Sequence, residues 1–172
     1  DKEYITAWSY GIEETLTFLI PNAKGGATMA LGNNEAALEK VEPSYRGIVA
    51  QENHYWGNQP FTSGPIYIGA VVLFFFFIGL FHTRGPLRNG LLAAIILSVF
   101  LSWGKNFMPL TGLFIDYFPG YDKFRAVSMT LVIAELCIPV IAFLGMYKLY
   151  KNPRLISLKE TSLVTARLLT AG

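Results

Sequence analysis

The 172-residue chain has the composition of an integral membrane protein: 52% of its residues are apolar and 15% are charged, whereas soluble domains carry about 25% charged residues. Its formal net charge of +2 does not indicate a nucleic-acid partner. The single cysteine, Cys137, excludes a disulfide within the chain and a cysteine-based metal site.

Residues 1–63 are polar and net acidic, and we predict that they form an extracytoplasmic loop region with short amphipathic helices. Within residues 4–20, apolar side chains recur at the spacing of an amphipathic helix, which Pro21 ends. Residues 33–41 are predicted to form a short helix with an asparagine cap. Residues 52–65 are predicted to be a loop.

This loop is rich in side chains that can bind a polar, planar ligand. Tyr55 and Trp56 contribute aromatic rings, and the amide of Asn58 offers both a hydrogen-bond donor and an acceptor. The pattern indicates a binding surface on the outer side of the protein.

Three apolar stretches follow, at residues 64–81, 86–103 and 126–147. Each is close to the ~20 residues that a helix needs to cross ~30 Å of hydrocarbon. The expected fold class is therefore mainly α, a polytopic membrane helical protein with about three transmembrane helices. Residues 154–172 are predicted to be a cytoplasmic tail or the start of a further helix.

The links after the first and third stretches carry only basic charges, and by the positive-inside rule they are cytoplasmic. Residues 1–63 and 104–125 should then both lie on the extracytoplasmic side of a bacterial inner membrane. The basic residues of the links are His82, Arg84, Arg88, Lys148, Lys151 and Arg154.

Residues 102–128 form an aromatic-rich segment that proline and glycine interrupt. Irregular backbone is excluded from contact with lipid, because an unpaired backbone group in hydrocarbon costs several kcal/mol. We therefore predict an outer, re-entrant-type loop here, and we take it as the candidate working site. Its charged residues are Lys105, Asp116, Asp122, Lys123 and Arg125.

A phosphate is the expected ligand of this loop, and a divalent cation is an open alternative. Arg125, with Lys123 nearby, suits binding of a lipid-linked phosphate, and the alternative is that Arg125 extends to lipid headgroups. Asp116 or Asp122 could coordinate a divalent cation, although such a site needs several converging oxygens. No metal site is assigned.

Three carboxylates are further candidates. Glu13 or Glu14 could act as a general base in an outer site, and the alternative is that both are solvated surface residues. Glu135 lies inside the third apolar stretch, where an acid usually faces a cavity or a partner. The alternative for Glu135 is a neutral carboxyl that packs against another helix.

Three blocks of the chain resemble the YfhO family of large bacterial membrane proteins, especially its Bacteroidetes-type members. The first two are WSYGIEETLTFLIPNAKGG (residues 8–26) and YWGNQPFTSGPIYIGAVVLF (residues 55–74). The third is LSWGKNFMPLTGLFIDYFPGYDKFRAVSMTLVIAEL (residues 101–136). Because the chain also begins without methionine, we expect it to be a fragment of a protein several times longer.

The resemblance implies the GT-C architecture of glycosyltransferases that use a polyprenyl-phosphate-linked sugar donor. In such enzymes an acidic residue of the first outer loop is catalytic, and a later outer loop with a Phe-Arg motif approaches the donor phosphate. Phe124–Arg125 matches that later motif. The acidic motif of the first loop has no counterpart in this chain, so a catalytic role for Glu13 or Glu14 does not follow from the resemblance.

The leading hypothesis is accordingly a membrane glycosyltransferase that acts on an extracytoplasmic acceptor. Arg125 with Lys123 or Lys105 would hold the donor phosphate. The sugar or acceptor channel would be bordered by Tyr55, Trp56 and Asn58.

Two alternatives remain open at this stage. The first is a non-enzymatic membrane scaffold or accessory subunit of a cell-envelope complex, which would use the aromatic outer loops to dock membrane-protein partners. The second is an ion or lipid transporter with Glu135 as a proton site.

Overall fold

The computed structural model describes residues 1–63, 66–123 and 126–153. These residues are mainly helical and contain no β-strand, only two isolated β-bridges. The mainly α prediction is therefore confirmed for this part of the chain. Its α-helices are α1 (Lys2–Ile5), α2 (Glu35–Leu38), α3 (Arg46–Val49), α4 (Ala70–His82), α5 (Pro86–Ser102), α6 (Met108–Tyr117) and α7 (Leu131–Lys151).

Among the described residues, one helix is long and apolar enough to cross a membrane: α7 with the turn before it, Val127–Lys151. A second span is obtained only if α5 and Gly104–Tyr117 are taken together, and the chain bends by 110° between them. Helix α4 has 13 residues, or about 20 Å of helix, which is less than the hydrocarbon thickness of about 30 Å. The arrangement with three transmembrane helices stays a prediction.

The first apolar stretch becomes helical only at Ala70, later than the sequence pattern suggests. Just before it, the backbone N–H groups of Ile68 and Gly69 donate to the carbonyl of Phe18, at 3.3 and 3.1 Å. The hydroxyl of Thr17 donates to the carbonyl of Ile66 at 2.8 Å. These contacts hold residues 66–69 against the N-terminal region, and Gly64 and Pro65 lie outside the described residues.

Helices α4 and α7 cross at two glycines, Gly79 and Gly145. A Cβ atom at Gly79 would overlap the backbone of α7 at Ile141, and one at Gly145 would lie 2.6 Å from the backbone nitrogen of Gly79. Small residues allow such close approach of helix backbones in membranes. Helix α5 also packs on α7, and the hydroxyls of Ser98 and Thr130 donate to each other's carbonyls at 2.8 and 3.0 Å.

The single amphipathic helix expected over residues 4–20 is replaced by α1 and a 3₁₀ turn, Glu13–Phe18. The residues between them use their backbone groups for long-range contacts. The N–H of Tyr10 donates to the carbonyl of Ser102 at 2.8 Å, and the carbonyl of Trp8 accepts from the N–H of Ser128 at 3.2 Å. The short helix expected at residues 33–41 forms as α2, capped by Asn34.

The segment at residues 102–128 is more regular than expected. It contains a 3₁₀ turn (Gly104–Phe107), helix α6 and a second 3₁₀ turn (Tyr121–Lys123). Gly104 has a φ of +49° at the bend, a conformation that glycine adopts without steric cost. The N-terminal region packs directly on this segment.

Candidate functional site

Three parts of the chain that are distant in sequence meet around one cavity of about 240 Å³. Each part lies within one of the three blocks that carry the family resemblance, at residues 8–26, 55–74 and 101–136. The lining residues are Gly11, Ile12, Glu13, Glu14, Lys24, Trp56, Gly57, Asn58 and Asn106.

Glu14 forms the buried floor of the cavity, with 2% of its surface exposed. Its Oε2 accepts hydrogen bonds from the backbone N–H groups of Gly11, at 2.6 Å, and Asn58, at 3.1 Å. Its Oε1 accepts from the hydroxyl of Tyr55. A buried carboxylate needs such donors to offset its lost hydration, so Glu14 joins the N-terminal turn to the loop at Tyr55.

Tyr55 lies beneath this floor, and its hydroxyl also accepts from the N–H of Gln59 at 3.1 Å. Burial, together with the neighbouring Glu14 carboxylate, raises the pKa of Tyr55 well above its ordinary value. The phenol therefore stays protonated and keeps donating to Glu14. Gly57 fits here because a Cβ atom at that position would overlap both the Tyr55 hydroxyl and Oε1 of Glu14.

One side of the cavity is formed by Glu13 and Lys24. The ammonium of Lys24 donates to the carboxylate of Glu13, and this hydrogen bond lowers the pKa of Glu13 below its ordinary range. Gly25 has a φ of +81° in the turn that carries Lys24, and the backbone there lies against His54. The N–H of Trp56 donates to the carbonyl of Lys24 at 2.8 Å, which ties the turn to the loop.

The opposite side is made of amides. Nδ2 of Asn58 donates to Oδ1 of Asn106 at 3.4 Å, and Nδ2 of Asn106 donates to the carbonyl of Tyr10 at 3.0 Å. The ammonium of Lys105 reaches the same edge, where it donates to the carbonyl of Asn58 at 3.4 Å. Trp56 stands at the mouth with 73% of its surface exposed.

The structure brings together most of the predicted site residues that it describes. The cavity is lined by Glu13, Glu14, Trp56 and Asn58, while Tyr55 supports it and Lys105 lies at its edge. What these residues do chemically stays a prediction.

Other predicted site residues lie apart from the cavity lining. Lys123 forms an ion pair with Asp122 at 3.0 Å. Glu135 is exposed on the surface of α7. Arg125 lies outside the described residues, so its phosphate-binding role is untested.

The two aspartates proposed for a divalent cation are both in ion pairs. Asp116 pairs with Lys2 at 2.8 Å, and Asp122 pairs with Lys123. In the described part of the chain, no three acidic, histidine or cysteine side chains converge as a metal site requires.

Sequence reasoning missed Lys24 and Asn106 as parts of the site. Both belong to the resembling blocks, in the motifs AKGG and WGKN. Their proximity to the aromatic loop depends on the long-range bond from the Trp56 N–H to the Lys24 carbonyl and on the bend at Gly104, which no local pattern predicts.

The state of the two N-terminal carboxylates limits the chemistry. A general base needs an accessible oxygen lone pair within hydrogen-bond reach of the proton it takes, and a pKa near the working pH. Glu14 uses both oxygens for hydrogen bonds, and Lys24 lowers the pKa of Glu13. The hydrogen bonds of Glu14 hold the N-terminal turn against the loop, and a catalytic role for Glu13 or Glu14 stays a prediction.

The chain matches no protein-family model, no curated protein and no solved structure. The YfhO resemblance thus remains an expectation from the sequence.

Proposed function

We propose that the protein is a membrane glycosyltransferase of the YfhO type, which moves a sugar from a polyprenyl-phosphate carrier to an extracytoplasmic acceptor. The observation that carries this proposal is the cavity itself. Candidate sugar-binding residues Trp56 and Asn58 share it with the acidic pair Glu13 and Glu14, and Lys105 is at its edge.

Within this proposal the residues have separate roles. Lys105, together with Arg125, neutralises the donor phosphate as it leaves. Trp56 and Asn58 hold the sugar or acceptor, while Glu14 and Tyr55 fix the loop that presents them. The proposal also places the protein in a bacterial inner membrane with three spans, and with residues 1–63 and 104–125 outside. Positioning and charge neutralisation supply most of the catalysis, because phosphate is already a good leaving group.

The test is a transfer assay in proteoliposomes with labelled polyprenyl-phosphate sugars. Lys105→Ala and Arg125→Ala should each reduce transfer by about 100-fold or more, since each removes a charge that acts in the transition state. Lys40→Ala, which removes an exposed lysine outside the cavity lining, should transfer at the wild-type rate. Equal rates for all four proteins would contradict the phosphate-binding roles.

A second candidate function is a non-enzymatic scaffold or accessory subunit of an envelope complex. It is favoured by one observation, that Glu14 is buried and hydrogen-bonded within the protein while Glu13 is paired with Lys24. If wild-type protein transfers no sugar from any polyprenyl-phosphate donor tested, the scaffold becomes the better proposal. Co-purification of a membrane-protein partner would then be its own test.

A further inference from the structure

The Trp56 indole is the aromatic surface in the cavity lining, and it is left mostly uncovered. It is 73% exposed although its backbone N–H is bonded to Lys24. Nothing in the described residues packs across its ring in an aromatic contact. An aromatic side chain held at the mouth of a polar cavity offers a flat apolar face beside hydrogen-bonding groups.

The polar groups next to this ring are amides, which both donate and accept. Asn58 and Asn106 are linked by one weak hydrogen bond of 3.4 Å, so each amide keeps further hydrogen-bonding capacity. A hydroxyl group is likewise donor and acceptor, and neighbouring hydroxyls on a ring match paired amides. A sugar has hydroxyls around its edge and C–H groups on its faces, which is the complement of amides beside an indole.

The charges of the cavity disfavour an anion. The cation in its lining, Lys24, is already paired with Glu13, and Glu14 adds a further negative charge at the floor. An anionic ligand would meet two carboxylates and no unpaired cation inside the cavity, because the ammonium of Lys105 is at the edge. Like charges brought together in a partly buried site disfavour binding.

The volume indicates a ligand the size of a single ring. The cavity measures about 240 Å³, and pockets for drug-sized ligands measure roughly 300–1,000 Å³. One sugar ring fits this space better than an oligosaccharide or a lipid chain.

We propose that the cavity binds one uncharged sugar ring, with a face stacked on Trp56 and hydroxyls bonded to Asn58 and Asn106. The proposal rests on the proposed glycosyl transfer, which it deepens by excluding uronic acids and other anionic sugars from this position. The phosphate of a donor would then lie outside the cavity, on the side of Lys105.

The experiment measures binding of free ligands to the intact protein in lipid nanodiscs by saturation-transfer NMR. The probes are methyl glucopyranoside, methyl N-acetylglucosaminide, methyl glucuronide and inorganic phosphate, at millimolar concentrations. At least one neutral glycoside should bind at least about tenfold more tightly than glucuronide or phosphate. Tighter binding of either anion would overturn the proposal.

Variants locate the binding. Trp56→Ala should lower the affinity for the neutral glycoside by about tenfold or more, as expected for loss of a tryptophan anchor. Trp56→Phe should retain most of that affinity. Tyr45→Ala removes another solvent-exposed aromatic ring, 57% accessible and on the N-terminal side of α3, and should bind like wild type. Sugar binding that Trp56→Ala leaves unchanged would place the ligand elsewhere and overturn the proposal.

The preference for neutral over anionic sugars is tested with Glu13→Gln, which leaves the ammonium of Lys24 without its carboxylate partner. It should raise the affinity for glucuronide relative to the neutral glycoside, whereas Glu3→Gln, outside the cavity lining, should not. An unchanged ratio in Glu13→Gln would contradict the role given to the Glu13–Lys24 pair.

The two proposals can fail separately. Transfer that depends on Lys105, without binding of any free neutral glycoside, would overturn the sugar site and leave the glycosyltransferase standing. Binding that depends on Trp56, without transfer from any donor, would do the reverse.

Discussion

Glu14 and Tyr55 show how one buried pair can hold a site together. The carboxylate accepts from Tyr55 and from the backbones of Gly11 and Asn58, which belong to segments more than 40 residues apart in the chain. Loss of a hydrogen bond to a buried charged group costs more than loss of a neutral one, because the charge is left without a donor and without water.

We therefore expect Tyr55→Phe to lower the free energy of unfolding by about 1.5–3 kcal/mol. The substitution removes only the hydroxyl that donates to Glu14 and accepts from Gln59. Tyr45→Phe makes the same change at an exposed ring and should change the stability by less than about 0.5 kcal/mol. Denaturant unfolding in detergent micelles, followed by circular dichroism, measures both, and equal stabilities would contradict the role of the pair.

The pH dependence of the unfolding free energy of Tyr55→Phe gives a second test of the pair. Burial keeps Tyr55 protonated in the folded state at pH values where an unfolded tyrosine, with a pKa near 10, ionises. Above about pH 10 the unfolded state thus binds fewer protons, and the unfolding free energy falls as the pH rises. Tyr55→Phe should make this decline shallower without abolishing it, because burial also raises the pKa of Tyr10, to about 12.

At the scale of elements, the close contact between α4 and α7 requires glycine at Gly145, whereas Gly90 in α5 has room for a side chain. Gly145→Ala should destabilise the protein by about 1–3 kcal/mol, because its Cβ atom would press against the backbone of α4. Gly90 in α5 has no atom within 4 Å of the corresponding position. Gly90→Ala should therefore stabilise by about 0.5–1 kcal/mol through helix propensity.

Thermal unfolding of Gly145→Ala and Gly90→Ala in the same detergent measures both changes in stability. A stability of Gly145→Ala at or above that of Gly90→Ala would mean that the two helices do not cross at Gly79 and Gly145 in solution.

The sequence predicted some helices with nearly correct bounds and others wrongly. Helix α5 spans Pro86–Ser102, almost as its apolar run predicts, because an uninterrupted apolar stretch with proline at its start forms a helix locally. The predicted helix over residues 4–20 failed because long-range bonds at Trp8 and Tyr10 compete with the local pattern. Periodicity carries no information about such partners.

The candidate site was predictable in part, for the same reason. Trp56 and Asn58 were predicted because aromatic rings and amides in a loop can bind a polar, planar ligand, and Glu13 and Glu14 because they are acidic. That Glu14 is buried and Glu13 paired depends on Gly57 and Lys24 from other parts of the chain. Residue types therefore predicted which residues belong to the site. Whether each one is buried, paired or exposed depends on the fold.

At the scale of the whole molecule, the bend between α5 and α6 determines how α6 would lie relative to a membrane that contains α5. The axes differ by 110°, so if the α5 part of this bent pair stands upright in the membrane, α6 runs nearly parallel to its surface. The face of α6 with Leu110 and Phe114 packs on the cluster around Ile5. Leu113 and Tyr117, four residues apart, are exposed on another face, with 54% and 81% of their surfaces accessible.

We expect this exposed stripe of α6 to lie in the lipid interface, because helices with an apolar face and aromatic residues settle there. A polarity-sensitive dye on Leu113→Cys should then emit as in an apolar medium in lipid nanodiscs and be shielded from an aqueous quencher. Both labelled variants carry Cys137→Ala, which removes the single native cysteine. The control is Ile48→Cys on α3, an apolar residue of the N-terminal region that is 65% exposed, whose dye should be quenched freely. Free quenching of the dye at both positions would place the exposed stripe of α6 in water and contradict the prediction.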